Sequence, residues 1–406
     1  MATIRNEIRR TVKHRKKALH SLWNLFSWVE DPRKARGKRY ELPTLLSLVV
    51  IGFLCGADNM AKLERILNEK PMKRHLNRVF KLNDRIPSHD TFSRVMALID
   101  ENELAFVLEV WVYELIGEYR GHYAIDGKAV SSATKLNEVH KFAPYILNAY
   151  VPAYNLVTSM SKVGEKTNEN PHMKKLLPTL HVADSFITAD ALHTTDETME
   201  DIRNMNGFYF FCVKDNRSKI QDELDLVFDD RIGAVQYFNE TDAVHVYTLF
   251  EKNKDRHEYR DIAIFHTDGI EVMYNPWGIR TAGAVRRRTK RLYTSGKTRD
   301  YSDETVYYIT NGNITDDLFI HLCRAHWAIE NSLHYVLDER FREDRSTART
   351  GNAIENLAAL RRIAFNLVSI AKSDSEGYLD PEHFLINFNE TVKFVTQPQR
   401  CPKSCM

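Results

Sequence analysis

The spacing of apolar residues changes near Gly121, and this change constrains the fold more than any other feature of the sequence. Before it, apolar residues recur with helical periodicity, as in Leu45–Ala57 and Glu103–Ile116. After it, short apolar runs typical of strands alternate with helical segments. The sequence therefore predicts an all-α N-terminal domain over residues 1–118 and an α/β domain over residues 119–372.

The predicted α/β domain contains five strand-like runs. The run from His122 ends at Asp126, and the run from Ser185 ends at Asp190. The other three runs cover residues 145–150, 156–162 and 208–214. Because strands, a hairpin and helices alternate in this order, we expect a mixed sheet with carboxylates at strand ends, where such sheets place their chemistry.

The remainder of the chain divides into three further pieces. Residues 228–312 are mainly short alternating runs with turn residues, which predicts a β-rich insertion. One long helix is expected over Asp316–Arg342 and a closing amphipathic helix over Ala353–Ala371, followed by a tail at residues 373–406.

Charge is distributed unevenly along a nearly neutral chain of 406 residues with a formal charge of +2. Residues 1–40 carry twelve Lys and Arg against three acids, and residues 280–300 carry eight against one. Two basic blocks suit a polyphosphate backbone, although a solvated surface is an equal alternative for either block alone.

Five cysteines and no recognisable secretory signal imply no disulfide framework, so we expect a reducing, cytoplasmic compartment. Cys401 and Cys405 resemble half of a zinc site but have no second His/Cys pair nearby. The longest apolar run, Leu45–Ala57, is shorter than the roughly 20 residues of a membrane span, so no membrane partner is expected.

Three segments each carry one acidic residue in an apolar setting: Asp126, Asp190 and Glu330. Two follow predicted strands and one lies on a predicted helix, so the fold could bring three hard oxygen ligands to one point. Such ligands suit Mg²⁺ or Mn²⁺, and two such ions can support an in-line displacement. Taken singly, Asp126 could belong to a turn with Gly127, Asp190 could be a helix N-cap, and Glu330 could form a surface ion pair.

These segments, in this order, resemble the DDE transposases of bacterial insertion sequences, in the branch that includes the H-repeat-associated proteins. The resemblance covers nearly the whole chain. Its markers are Asp31-Pro32-Arg33, Pro87-Ser88-His89-Asp90-Thr91-Phe92, His326-Trp327 with Ile329-Glu330-Asn331 and Leu333-His334, Glu343-Asp344, Glu355-Asn356-Leu357 and Leu360-Arg361-Arg362-Ile363-Ala364.

The resemblance implies an RNase H-like mixed-sheet core in which Asp126, Asp190 and Glu330 are the catalytic, metal-binding residues. It implies two Mg²⁺ (or Mn²⁺) ions, double-stranded DNA as partner at the element ends and at the target, and a homo-oligomer on DNA. Such a protein would cleave and transfer DNA strands in the bacterial cytoplasm, at the nucleoid. A non-catalytic DNA-binding relative is the alternative.

Three places in the sequence depart from the pattern of related transposases. Four residues before Glu330 an Arg is common, and this chain has His326; seven residues after it a Lys is common, and this chain has Leu337. The family's Lys-Gly-Asn-Gln run is Lys214-Asp215-Asn216-Arg217 here. These departures are the only sequence support for the non-catalytic alternative.

Several basic residues are candidate DNA contacts; the alternative is ordinary surface exposure for the Lys and Arg residues and a supporting role for His326. They are Lys128, Lys214, Arg286, Arg287, Arg288, His326, Arg345 and Arg349. His326, Glu330 and His334 also recur every four residues, which would allow a zinc site on one helix face, but the resemblance favours Mg²⁺ at Glu330. Trp327 is expected to pack in the core.

Overall fold

The computed structural model describes residues 22–130, 145–163, 170–213, 220, 222, 224, 244–253, 256–267, 275–292 and 298–374. Lys214 and Asp215, the N-terminal part of the first basic block, and Cys401 and Cys405 lie outside the described residues.

The N-terminal region is helical, as predicted. Its helices are α1 (Leu22–Phe26), α2 (Leu42–Leu54), α3 (Met60–Asn68), α4 (Lys70–Phe80), α5 (His89–Leu98) and α6 (Glu101–Ile116). Pro43 lies in the first turn of α2, and Ser88 caps α5 by accepting a hydrogen bond from the Thr91 amide. The apolar helix ends at Leu54 rather than Ala57, because Gly56 adopts a positive φ of 80°. Helix α4 was not predicted, since only Met72 and Leu76 of its mostly polar sequence are buried.

The α/β region begins with β1 (His122–Ala129), β2 (Tyr145–Val151) and β3 (Leu156–Val163). Helix α7 (Asn170–Leu176), β4 (Phe186–Ala189), α8 (Asp196–Asn204) and β5 (Phe208–Val213) follow. Strands β1, β2 and β3 are antiparallel neighbours, whereas β4 is parallel to β1 and β5 is parallel to β4. The predicted mixed α/β fold is confirmed.

The predicted β-rich insertion contains β6 (Val244–Asn253), β7 (Arg256–His266), β8 (Thr281–Leu292) and β9 (Thr298–Thr310). Its strands continue the same sheet, because β9 pairs antiparallel with β5. Over the described ranges the strand order is β3-β2-β1-β4-β5-β9-β8-β7-β6. Strand β8, which coincides with the second basic block, was not predicted, because its run of Arg and Lys hides the alternation of a strand.

Helices cover both faces of the first five strands. On one face, Met173 of α7 and Met199 and Ile202 of α8 pack against Ile125 and Leu147. On the other face, the N-terminal helices and the closing helix α11 (Ala353–Asp374) share one apolar core with β1, β2 and β3. Helix α11 contacts α2, α5 and α6 directly. The boundary at residue 118 stays a prediction, since the core extends across it.

The segment that carries Glu330 is helical over most of the predicted range, but the predicted single regular helix over Asp316–Arg342 is interrupted by a π-helical turn and ends at Glu339. It consists of α9 (Asp316–His326), a π-helical turn (Ile329–His334) and α10 (Tyr335–Glu339). Apolar periodicity cannot reveal this break, because Ile329, Leu333 and Leu337 are all buried at ordinary helical spacing. π-Helical turns are rare and are found frequently at functional sites.

Candidate active site

Asp126 lies within strand β1 rather than at its end. The strand continues to Ala129, and Asp126 is paired with Asn148 of β2. The backbone N–H of Gly127 donates to Asp126 Oδ1 at 2.8 Å, which orients the carboxylate. The Gly127 position serves packing instead of a turn: a Cβ there would lie 1.8 Å from Cε1 of Tyr145. The turn interpretation of Asp126-Gly127 is therefore wrong.

Asp190 directly follows β4, the parallel neighbour of β1. Ile125 and Ala189 are the last paired residues of the two strands, so Asp126 and Asp190 occupy the next position on each. Asp190 Oδ1 accepts a hydrogen bond from the Ala191 backbone N–H at 2.7 Å and caps a short 3₁₀ turn. The N-cap interpretation is thus confirmed, and it fixes the carboxylate beside that of the neighbouring strand.

Glu330 is the second residue of the π-helical turn, and its side chain is exposed. Four residues before it, His326 Nδ1 lies 3.0 Å from the Thr188 hydroxyl, two residues before Asp190. Four residues after it, His334 Nδ1 lies 3.6 Å from Asp126 Oδ2. Glu330 therefore stands between two contacts that join its segment to the two strands bearing the aspartates, so the fold brings the three predicted segments together.

Histidines in this region are held in their neutral form. His122 Nε2 lies 2.7 Å from Thr188 Oγ1, so His122, Thr188 and His326 form a hydrogen-bonded chain from β1 through β4 to α9. Burial lowers the pKa of His122 to about 3 and that of His326 to about 4. Burial, followed by the charges of Arg362 and Lys128, lowers the pKa of His334 to about 3. These imidazoles add no positive charge to the site at neutral pH.

Lys128, predicted to contact DNA phosphate, is buried in an acidic cluster. Its ammonium lies 2.6 Å from Asp338 Oδ1, 3.3 Å from Asp344 Oδ1 and 3.7 Å from Glu343 Oε2. Leu337, at the position where the resemblance led us to expect a Lys, is fully buried. The phosphate-binding role of Lys128 stays a prediction, and the cluster shows that its charge is already compensated within the protein.

A buried polar network lies behind Asp126, and the sequence patterns did not assign it. Arg362 Nη1 lies 2.7 Å from Glu343 Oε1, and Arg362 Nε donates to Asn148 Oδ1 at 2.6 Å. Asn148 is the residue paired with Asp126 across β1 and β2. The network links α11 to the strand beside the candidate site. Its signal in the sequence was the pair Arg361-Arg362 inside an otherwise apolar helix.

The other predicted DNA contacts lie in different environments. On β8, Arg287 Nε lies 2.9 Å from Glu258 and Arg288 Nη2 contacts Asp261, so both guanidinium groups have acidic partners on β7; Arg286 lies on the same strand. Arg345 is exposed, and Arg349 donates to the Ser346 carbonyl at 3.0 Å. All five assignments stay predictions.

Trp327 departs from its expected place in the core. It is 45% exposed beside Glu330, and Tyr335 at the start of α10 is 61% exposed. Trp327 directly follows α9, where regular α-helical geometry ends, and its side chain is not directed into the core. The expectation that Trp327 packs in the core is therefore wrong.

The candidate site offers three carboxylates, a donor set that suits a hard divalent cation. Asp126 and Asp190 each accept a hydrogen bond from the backbone N–H of the following residue. Within the described ranges, the three carboxylates do not come within 4.8 Å of one another as a set. The group that does so is His245, His266 and Asp316, outside this site. The zinc alternative for His326, Glu330 and His334 gains no support from this geometry.

Two family models and several known proteins match most of the chain. The family model described as "Transposase DDE domain" matches residues 120–367, and the one described as "DDE_Tnp_1-associated" matches residues 23–112. The chain is 26% identical over 364 residues to "Putative transposase YncI" of Escherichia coli O157:H7, covering 89% of this chain and 90% of that protein. It is 25% identical over 375 residues to "H repeat-associated putative transposase YhhI" of Escherichia coli strain K12, covering 88% and 93%.

Among solved structures, the chain is similar to the cryo-EM structure of the piggyBac transposase synaptic complex with hairpin DNA. The identity is 11% and the TM-score 0.44, over 92% of this chain and 80% of that one. In the part of the chain that the structure describes, no helix has the length and apolar character needed to cross a membrane.

Proposed function

The chain belongs to the DDE transposase family, and from that premise we propose that it cleaves DNA at the ends of an insertion sequence and joins the freed 3′-hydroxyl to target DNA. The observation that supports this most is the position of Asp126 and Asp190 at the same level of two adjacent parallel strands. Exposed Glu330, on a turn joined to both strands, completes the set.

Asp126, Asp190 and Glu330 would hold two Mg²⁺ (or Mn²⁺) ions. When bound, such ions activate the attacking oxygen and stabilise the leaving oxygen of an in-line phosphoryl displacement. The chain's own contribution is positioning. Backbone N–H groups orient both aspartates. Hydrogen bonds that link His122, Thr188 and His326 hold the Glu330 segment against the sheet. Preorganisation of this kind avoids the cost of ordering the ligands at each turnover.

DNA is the proposed partner, with contacts on both the catalytic and N-terminal sides. Arg345 is exposed shortly after the Glu330 segment, and Trp327 and Tyr335 offer exposed rings on which unpaired bases could stack. The N-terminal helices carry a cleft lined by Arg39, Lys81 and Arg85, among other residues. Cationic side chains around a cleft suit a phosphate backbone, so we place recognition of the element ends there.

The test is cleavage of a labelled duplex that carries the flanking ends of the gene's own element, with Mg²⁺ or Mn²⁺ in the buffer. Asp126→Ala, Asp190→Ala and Glu330→Ala should each abolish nicking and strand transfer. Glu339→Gln, an exposed acid on α10, and Asp184→Asn, an exposed acid paired with Arg120 at 2.9 Å, are the matched controls and should keep wild-type activity. Activity that survives in the triad variants would contradict the assignment.

A non-catalytic DNA-binding relative is the second candidate, and one observation favours it: Leu337, at the position where the resemblance led us to expect a Lys, is buried, and the charge of Lys128 is compensated by Asp338 and Asp344. The two functions predict different results with the wild-type protein. Binding to the element ends without metal-dependent cleavage would support this candidate. Cleavage without joined products would indicate a nuclease that lacks strand transfer. We further propose that the protein acts as a homo-oligomer, and light scattering with and without end DNA would test its molar mass. We also propose that it acts in the cytoplasm, which cell fractionation would test.

A further inference from the structure

Two histidines and an aspartate converge on the insertion side of the molecule, away from the candidate active site. His245 lies on β6, His266 on β7 and Asp316 at the first position of α9. His245 is paired with Ile264, so it shares a sheet face with His266, two residues further along β7. The same face buries Ile264 in a cluster with Phe319 of α9, which explains why the helix start meets the histidines.

The ligand atoms of these side chains all lie within 4.8 Å of one another. His245 Nδ1 is 2.6 Å from Asp316 Oδ2, and His266 Nε2 is 2.9 Å from Asp316 Oδ1. Both carboxylate oxygens are thus faced by an imidazole nitrogen. The hydroxyl of Tyr247 also donates to Asp316 Oδ2, at 2.5 Å. Within the described ranges, this is the group of His, Cys, Asp and Glu residues with the spacing of a metal site.

The second nitrogen of His266 has the environment typical of a metal-ligating histidine. His266 Nδ1 lies 3.5 Å from Thr281 Oγ1, and that hydroxyl donates its own proton to the Gly312 carbonyl at 3.0 Å. In this arrangement Thr281 accepts from Nδ1–H, so the Nε2 lone pair of a neutral His266 points at the carboxylate. A lone pair facing a carboxylate needs a proton or a cation between them. Ligating histidines commonly donate their other N–H in this way.

The ordinary explanation covers only part of this cluster. An acidic residue in the first turn of a helix is favoured by the helix dipole, which accounts for Asp316 alone. The dipole does not require two imidazoles from two different strands on the same carboxylate.

We propose that His245, His266 and Asp316 bind a zinc ion that fastens strands β6 and β7 of the insertion to the first turn of α9. Two imidazole nitrogens and one carboxylate oxygen suit Zn²⁺, whereas Mg²⁺ prefers oxygen ligands alone. His245 is 44% exposed, so water has access to the fourth position. Because α9 leads into the turn that carries Glu330, the ion would stabilise the packing of the insertion against the helix beside the candidate active site.

Zinc binding is tested on the full-length protein after chelator treatment and dialysis. The purified chain is incubated with ZnCl₂, passed through gel filtration and analysed for metal by mass spectrometry, with calorimetry to give affinity. We expect about one Zn²⁺ per chain to be retained, and loss of at least tenfold in affinity in His245→Ala, His266→Ala and Asp316→Asn. His321→Ala, which removes an exposed histidine of the same helix, is the control and should bind as the wild type.

Two further variants exclude the other places where zinc could bind. Asp190→Ala removes the candidate catalytic site and should leave the stoichiometry unchanged, so the result does not depend on the proposed transposase activity. Cys401→Ser/Cys405→Ser removes the tail cysteines and should also keep the ion. Retention of zinc by the three cluster variants, or its loss in the Asp190 or cysteine variants, would overturn the proposal.

The shift in melting temperature on addition of zinc is a second measure of binding, and it needs no determination of affinity. Zinc should raise the melting temperature of the wild type and of His321→Ala, because an ion that binds only the folded state stabilises it. It should leave Asp316→Asn, which keeps the size and shape of the side chain, unchanged. A wild-type protein that retains no zinc and shows no shift would also overturn the proposal.

Discussion

Replacing Arg362 by Met should lower the free energy of unfolding by about 3–5 kcal/mol, the usual cost of leaving one charge of a buried pair without its partner. Arg362 and Glu343 are both fully buried, with 2.7 Å between Nη1 and Oε1. The same substitution removes the donor at 2.6 Å from Asn148 Oδ1, so the loss should lie toward the upper end of that range. Met keeps the volume of the aliphatic part and avoids a large cavity.

The double variant Arg362→Met/Glu343→Met should be less destabilised than Arg362→Met alone, because neither charge is then left buried without a partner. Lys128 would keep Asp338 and Asp344, which lie 2.6 and 3.3 Å from its ammonium. The cycle therefore isolates the coupling between the two residues, and we expect a coupling of about 2–3 kcal/mol.

The dependence on pH gives a second test of the same pair. Burial opposes ionisation of Glu343, but Arg362, Arg361 and Lys128 outweigh it, so its pKa is lowered from the ordinary 4.5. A carboxyl group with a lowered folded-state pKa contributes stability that is complete above 4.5 and is lost as the pH falls through the lowered value. Wild type and Glu343→Gln should therefore differ most at neutral pH and converge in acid.

The assay is equilibrium urea unfolding followed by tryptophan fluorescence, with activity on end DNA measured in parallel. Glu339→Gln, an exposed acid on α10, is the control and should unfold as the wild type does. A loss below about 1 kcal/mol for Arg362→Met would refute the reasoning, since that magnitude is typical of exposed pairs. A double variant less stable than the sum of the single variants would refute it as well.

Three other changes have defined expectations. Gly127→Ala should destabilise the protein by about 1–3 kcal/mol in urea unfolding, because its Cβ would overlap the Tyr145 ring; Tyr145→Ala should restore part of that stability, and no rescue would contradict this packing argument. Neutralising Arg286–Arg288 should lower the salt slope of DNA binding by about 0.9 for each phosphate that these arginines neutralise, and an unchanged slope would show that β7 acids already satisfy them. In a Cys401→Ser/Cys405→Ser variant, the three remaining thiols are buried, so they should react with Ellman's reagent only after urea is added; rapid reaction of the native protein would argue against that burial.

The sequence allowed prediction of those parts of the structure in which apolar periodicity and turn chemistry agree. Helices α2, α5 and α6, strands β1 to β5 and the closing helix all follow from such patterns. Strand β8 could not be found this way, because it carries charged residues on both faces and so lacks the apolar alternation of a strand. Arg287 and Arg288 form ion pairs with acidic residues of β7. The π-helical turn at Glu330 could not be found either, because its buried residues keep the spacing of an ordinary helix.

The acidic residues of the candidate site could be predicted from the sequence, but the buried polar residues behind them could not. Asp126, Asp190 and Glu330 stood out because each is a lone acid in an apolar segment. Asn148, Glu343 and Arg362 come from three distant segments, and only the fold shows that they form one network behind Asp126. For Lys128, proximity in sequence to Asp126 suggested DNA contact, and nothing in the sequence indicated that its side chain turns inward to three carboxylates.

The shared core of the N-terminal helices and α11 has a consequence for biosynthesis. Helix α2 leaves the ribosome early, yet one of its packing partners starts at Ala353, roughly 300 residues later. At about 5–20 residues per second, the nascent chain would wait some tens of seconds before α11 could cover these apolar residues. The N-terminal helices therefore need either protection by chaperones or a provisional packing arrangement during translation, and a message truncated before α11 should yield insoluble protein.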